Sequence, residues 1–290
     1  MTLSETRLSL PSPAKLNLFL HINGRLPNGY HELQSLFHFL DYGDTLDFTL
    51  RKEPGIELTC SIKALETDDN LITRAAKALQ PYISAEHPMP GVHINLEKVL
   101  PMGGGVGGGS SNAATTLLAL NKLWQLNLPL SELEAIGNRL GADVPIFVRG
   151  QTSIAEGTGE QLTYYPIKER WYLVLTPNAH VNTSLLFSAP DLKRDSPKLK
   201  HNDIQYQGIR EDLRNDFELL VYKNYPIIAK ARDWLLEYAP SRMTGTGACL
   251  FAEFDSKAQA LDIFHQLPEH LAGFVAKGCN QSPTHKMLFG

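Results

Sequence analysis

Residues 100–112 read LPMGGGVGGGSSN, six glycines in seven positions and then two serines, and the following AATTLLALNKLW has helical spacing. Glycine loses more backbone entropy on folding than any other residue, so such a run is costly unless the chain must turn sharply or approach something closely. A helix that starts directly after it presents unpaired N–H groups and the positive end of its dipole, and together these hold phosphate. Pro101, Met102, Gly103, Gly104, Gly105, Val106, Gly107, Gly108, Gly109, Ser110 and Ser111 are therefore the candidate cradle. A flexible linker is the competing explanation. The small residues Ala113 and Ala114, which let the helix pack closely, speak against it.

Two familiar phosphate loops do not fit. Gly103, Gly105 and Gly108 satisfy GxGxxG, but in so dense a run the match is nearly automatic. A dinucleotide fold also wants an acidic residue about 20 positions on, and none occurs from Pro101 through Ser131. A Walker A loop needs Gly-Lys-Ser/Thr, whereas Gly109 is followed directly by Ser110. What remains is a loop without its own lysine, in which amides and helix dipole carry the anion. Lys98 lies just before it, and Ser110 or Ser111 could cap the helix or meet a metal ion.

Composition narrows the class. The 290 residues are 43% apolar and 20% charged, enough for a large globular core and about two domains. A net charge of −4 argues against a broad basic face, so no nucleic-acid partner is expected. The opening MTLSETRLSLPSP lacks the basic start and apolar core of a secretion signal, and no apolar run reaches 18 residues. No membrane association is expected. Cys60, Cys249 and Cys279 form no CxxC, which suggests reduced, packed thiols in a cytoplasmic protein.

In AKLNLFLHI, Leu16, Leu18, Leu20 and Ile22 alternate with Lys15, Asn17 and His21, and Phe19 interrupts the polar side. Strands are also expected at 45–50, 55–62 and 91–99, with a helix over DNLITRAAKALQPY capped by Asn70. A later helix is expected to open on a Ser131–Glu134 capping box and stop at Gly141. SIAEGTGEQLTYYP reads as a hairpin turning at GTG. The pattern restarts near residue 166, giving units of 1–165 and 166–290, with strands at RWYLVLTP, CLFAEF and GFVAKG and helices between. Strands and helices without a strict βαβ rhythm indicate an α+β fold.

PSPAKLNLFL, LPMGGGVGGGSSNAA and TGTGACLF stand in the order and spacing of the three motifs of the GHMP kinases (galactokinase, homoserine, mevalonate and phosphomevalonate kinases), which the chain resembles over essentially its whole length. NGYHELQSLFHFLDYGD, GADVPIFVRG and APSRMTGTGA resemble in particular the branch that acts on a cytidine-diphosphate-linked methylerythritol; residues 185–215 match least. The resemblance implies a ribosomal-protein-S5-like N-terminal ATP-binding domain and a ferredoxin-like C-terminal substrate domain with the site between them. The implied reaction is ATP-dependent phosphorylation of the 2-hydroxyl of that acceptor, on the non-mevalonate route to isoprenoid precursors, with Mg²⁺ as companion ion.

By this resemblance Lys15 and Asp143 are catalytic, where residue type alone suggests an edge charge and a helix cap. Asn70 and Lys98 fall near the adenosine. Asn17, Tyr30, His31, Phe37, Thr183, Phe187 and Gly245 would hold the acceptor, with Tyr30, His31 and Phe187 on the pyrimidine and Gly245 and Gly247 closing the site. No residue is singled out as a metal ligand, and nothing fixes an oligomeric state. Two rivals stand beside this reading: a related kinase for a mevalonate- or homoserine-like acceptor, and a non-catalytic nucleotide-binding module. A small aliphatic acceptor has no need of a Tyr-His-Phe set, and a binding module has no need of both Lys15 and Asp143.

Overall fold

A computed structural model describes residues 6–83 and 90–290; the first five residues of the N-terminal segment lie outside it. The first half runs β1 (Arg7–Arg25), β2 (His31–Arg51), β3 (Ile56–Cys60), α1 (Leu71–Leu79), β4 (Gly91–Glu97), α2 (Gly108–Leu123), α3 (Leu130–Leu140), α4 (Val144–Arg149), β5 (Ser153–Glu156) and β6 (Gln161–Tyr164). The second half runs β7 (Trp171–Leu175), α5 (Thr183–Ser188), α6 (His201–Ile204), α7 (Glu218–Asn224), α8 (Pro226–Leu236), β8 (Ser241–Met243), β9 (Leu250–Phe254), α9 (Lys257–Phe264), β10 (Gly273–Cys279) and α10 (Pro283–Phe289). Among the described residues no helix is long and apolar enough to cross a membrane.

One sheet passes through both halves in the order β3-β4-β2-β10-β7-β9-β8, with β1 and β5 paired to β2 and β6 to β5. Strands β7 to β10 with their helices follow the β-α-β-β-α-β order of a ferredoxin-like unit, and every pair among them is antiparallel. In the first half the apolar faces of α1 to α4 cover the sheet through Ile72, Leu117, Leu120, Leu133, Ile136 and Phe147 against Phe39, Phe48 and Ile94. A second cluster, with Leu16, Leu18 and Phe19 of β1 against Tyr172, Val174 and Phe251, joins the halves. The fold is α+β, as the mixed pattern indicates.

Sequence alternation understates β1, which is buried on both faces from Ser12 to Ile22. Bulges between Pro13 and Lys15, and again between Asn17 and Leu20, break the period and re-aim the side chains on either side of each. The capping box expected at Ser131 does not form. Helix α3 starts at Leu130 behind Pro129 with no side-chain cap, and Glu134 instead takes the Arg149 guanidinium. Asn70 does cap α1, accepting from the Ile72 amide at 2.9 Å.

Candidate active site

The glycine run is fastened from behind by its carbonyls. Gly104 O accepts from the Cys249 amide (3.0 Å), Gly105 O from Lys15 Nζ (2.9 Å) and Val106 O from the Lys15 amide (3.0 Å). The Gly107 carbonyl accepts from the Ser111 amide (2.8 Å) as α2 begins. The amides of Gly108, Gly109 and Ser110 form the first turn of α2 and have no partner within the helix, which leaves three donors for an anion. Gly105 has φ +78°, and a Cβ there would stand 2.2 Å from Thr244 O. Gly245, at φ +58°, in turn approaches Gly105, so the two glycine turns seat against each other. Neither position admits a side chain.

Two expected cradle members face elsewhere. Val106 is fully buried in the inter-half cluster. Ser111 is also buried, with its Oγ 2.9 Å from Ser12 Oγ and its amide engaged by Gly107, so its hydroxyl cannot serve a metal in the cavity. Pro101 to Gly105 and Gly107 to Ser110 do line the cavity.

Lys15 is 2% exposed, and its Nζ lies 2.5 Å from Asn17 Oδ1 and 3.3 Å from Asp143 Oδ2, over the Phe37 ring at 5.1 Å. A buried ammonium needs such partners, because taking an unpaired charge out of water is costly. Asn17 is held in turn, its Nδ2 donating to Ser35 Oγ and its amide to Thr244 Oγ1. Asp143 occupies the N-cap position of α4, yet its side chain makes no capping bond and is 39% exposed. Its carboxylate faces Lys15 and the cavity, not the helix.

The cavity holds about 1230 Å³ between the halves, above the usual size for one small ligand. Asn70 and Lys98 line it, but both are engaged: Asn70 caps α1, and Lys98 Nζ lies 2.8 Å from buried Asp44 and from Leu100 O. A Cβ on Gly108 would come within 3.1 Å of Lys98 Nζ, so this ammonium stands at the positive end of α2. Tyr30 is 66% exposed at the opposite wall. His31 is buried against the Phe187 ring (centroids 5.0 Å), and burial, then Arg194 and Arg25, hold its pKa below the ordinary value. Thr183 Oγ1 lies 2.8 Å from Thr246 Oγ1 of the second glycine turn.

Residues 70–151 match the model for the GHMP kinases N terminal domain, and residues 197–273 match the GHMP kinases C terminal model. A protein from Haemophilus influenzae (strain 86-028NP), named 4-diphosphocytidyl-2-C-methyl-D-erythritol kinase, is 54% identical over 97% of this chain and 88% of its own length. The chain belongs to the GHMP kinase family. A protein of the same name from Marinobacter nauticus is 54% identical over 98% of both chains. The crystal structure of a 4-(cytidine 5'-diphospho)-2C-methyl-D-erythritol kinase superposes with a TM-score of 0.82 at 28% identity, covering 93% of this chain and 99% of that one. The Methanococcus jannaschii mevalonate kinase, at TM-score 0.69 and 16% identity over 97% and 100% of the two chains, shares the fold.

This GHMP kinase also uses residues that the sequence pattern does not mark. Asn215 Nδ2 donates to Met243 O and Gly245 O and so holds the second glycine turn, while its Oδ1 accepts from the Phe217 amide. His180 reaches the glycine loop, with Nδ1 3.0 Å from where a Gly103 Cβ would stand. Arg194 donates to His31 Nε2 at 3.0 Å. All three lie outside the glycine motifs, and no periodicity distinguishes them. Their role comes only from long-range folding.

Proposed function

We propose that this GHMP kinase transfers the γ-phosphoryl group of ATP to the 2-hydroxyl of 4-diphosphocytidyl-2-C-methyl-D-erythritol, acting in the cytoplasm on this small molecule. The unit 1–165 would bind ATP and the unit 166–290 would complete the acceptor site. One observation carries the reading: the Lys15–Asp143 pair (3.3 Å) shares a cavity with both the glycine cradle and the Tyr30–His31–Phe187 set.

Phosphoryl transfer is mostly positioning and charge stabilisation. Asp143, facing the cavity, orients the acceptor hydroxyl and takes its proton as the new O–P bond forms. Lys15 offsets charge on the reacting oxygens, while Asn17 and the Gly105 carbonyl fix the ammonium in place. The free amides at the head of α2 receive phosphate oxygens. Asn17 and Phe37 shape the floor under Lys15, and Thr183 with Gly245 closes the acceptor side.

Among the described residues no cluster of three or more His, Cys, Asp or Glu could hold a metal by itself. The hard oxygen donors present fit Mg²⁺ delivered on the nucleotide. The Ser110 hydroxyl, which lines the cavity at the head of α2, is the protein oxygen that would meet the ion. Bound there, Mg²⁺ would neutralise phosphate charge.

The test is a panel with ATP: the cytidyl alcohol, mevalonate, homoserine and galactose. Turnover confined to the cytidyl alcohol supports the reading. Preference for another acceptor, or no turnover at all, overturns it.

A further inference from the structure

Arg194 stands half-buried between the two halves. Its guanidinium makes four bonds. Nε donates to His31 Nε2 (3.0 Å), Nη1 to Leu192 O (3.0 Å), and Nη2 to Phe187 O (2.9 Å) and Ala189 O (2.7 Å). One side chain therefore grips both rings of the proposed pyrimidine site: His31 of β2 directly, and Phe187 of α5 through its carbonyl. Phe187 is backed on its other side by the edge of Phe217 at 4.9 Å.

The direction of the bond to His31 has a chemical consequence. A guanidinium has only donors and does not lose its proton in proteins, so the nitrogen facing it must carry a bare lone pair. His31 is thereby neutral, with its one ring proton on Nδ1. Burial and the two nearby arginines, Arg194 and Arg25, favour the same uncharged ring. The remaining ring nitrogen is then a fixed donor. Cytosine offers acceptors at O2 and N3, whereas N3 of uracil carries a proton. O2 accepts in both bases, so the discrimination lies at N3: a donor aimed there meets a lone pair in cytosine and a proton in uracil.

We propose that Arg194 is a positioning residue for base selection, fixing His31 as an Nδ1–H donor and holding Phe187 beside it so that the site accepts cytosine and rejects uracil. This rests on the pyrimidine reading given under Proposed function. A substitution here acts through His31 and leaves the ATP cradle alone.

Two measurements on the full chain test it. Ring-¹⁵N spectra at pH 8, with the His31 signals assigned by their loss in His31→Gln, should show Nδ1 protonated and Nε2 bare in the ligand-free protein. An Nε2-protonated or charged His31 overturns the proposal without any need for an Arg194 variant. Calorimetry with CDP, UDP and ATP supplies the second measurement. Arg194→Met should lower the CDP/UDP affinity ratio at least ~10-fold, with ATP affinity unchanged. Arg194→Lys keeps a donor for Nε2 but cannot fork to the carbonyls, so it should retain the preference while weakening CDP and UDP alike. A folded Arg194→Met that discriminates like wild type overturns the proposal. If wild type itself shows no preference while His31 carries its proton on Nδ1, the pyrimidine reading fails and the tautomer assignment survives, so the two failures are distinct.

Discussion

Asp143 and Lys15 form one ion pair but differ in what the fold asks of them. Asp143 is 39% exposed and caps nothing, so Asp143→Asn should melt close to wild type while turnover falls at least ~100-fold, as for loss of a general base. Stopped-assay rates beside a melting curve check this; near-normal turnover removes Asp143 from the chemistry. Lys15 is buried among three oxygens, so its loss would disturb the loop as well as the reaction. Tyr30 lies at the other extreme, its side chain 66% exposed on the cavity wall. Stacking on an aromatic is worth ~1–3 kcal/mol, so Tyr30→Ala should raise KM for the cytidyl substrate about 5- to 150-fold and change that for ATP little. An equal rise for both would mean that Tyr30 only shapes the entrance.

At the scale of elements, the two glycine turns act as one. Gly105→Val puts a Cβ 2.2 Å from Thr244 O at a positive φ, so ATP affinity should fall at least ~10-fold, more than affinity for the acceptor. Titration calorimetry on the folded variant checks the order of the two losses. Asn215→Ala strips partners from Met243 O and Gly245 O, each buried acceptor costing about 1–3 kcal/mol, and should lower Tm as well as activity. Glycine density, alternation and helix spacing made the glycine loop, several strands and α2 legible in the sequence, while β2 runs from His31, well before the expected 45–50. Ser131 shows where such signals end: its box residues are present, but Glu134 found a stronger partner in Arg149. Ser111 shows it again, since helical phase alone decided that it would turn to Ser12 while Ser110 faced the cavity. Strand β8 and helix α10 carry too few patterned residues to announce themselves. In the segment 185–215 the work is pairwise: Ser196 to Ile22, Leu199 to Gln34 and Arg214 to Leu20 are matches of position, not of motif.

For the whole molecule, buried histidines are expected to contribute to the response to acid. His38 is pushed down to about 3 by burial, and His21, His31 and His285 are lowered by the same first cause. A group whose folded pKa lies below its unfolded value takes up a proton on unfolding. Its stabilisation is complete above 6.5 and is lost as pH falls from there toward the folded value, at about 1.4 kcal/mol per pH unit for each such group. Glu218 and Glu253, raised by burial, act in the opposite sense above 4.5. Urea melts at pH 8, 6 and 5 should show stability falling with acid, and His38→Gln should flatten that slope by up to one proton. An unchanged slope would mean that His38 is not the group responding. The end of the chain contributes as well. Thr284 donates to Pro11 O, His285 bonds Val148 O and the Ser282 amide reaches Gly150 O, so removing residues 281–290 should lower Tm by more than about 4 °C.

The strand that joins the two halves, β10, is the last in the chain, yet it pairs with β2 near the beginning, at Gly278–Leu40 and Cys279–Phe39. During synthesis the early strands leave the ribosome with that edge of β2 uncovered until β10, more than 230 residues later, follows. Strand β1, which carries Lys15, packs likewise against the late helix α10. Closing that edge is therefore a long-range step of folding, made between segments more than 230 residues apart in sequence.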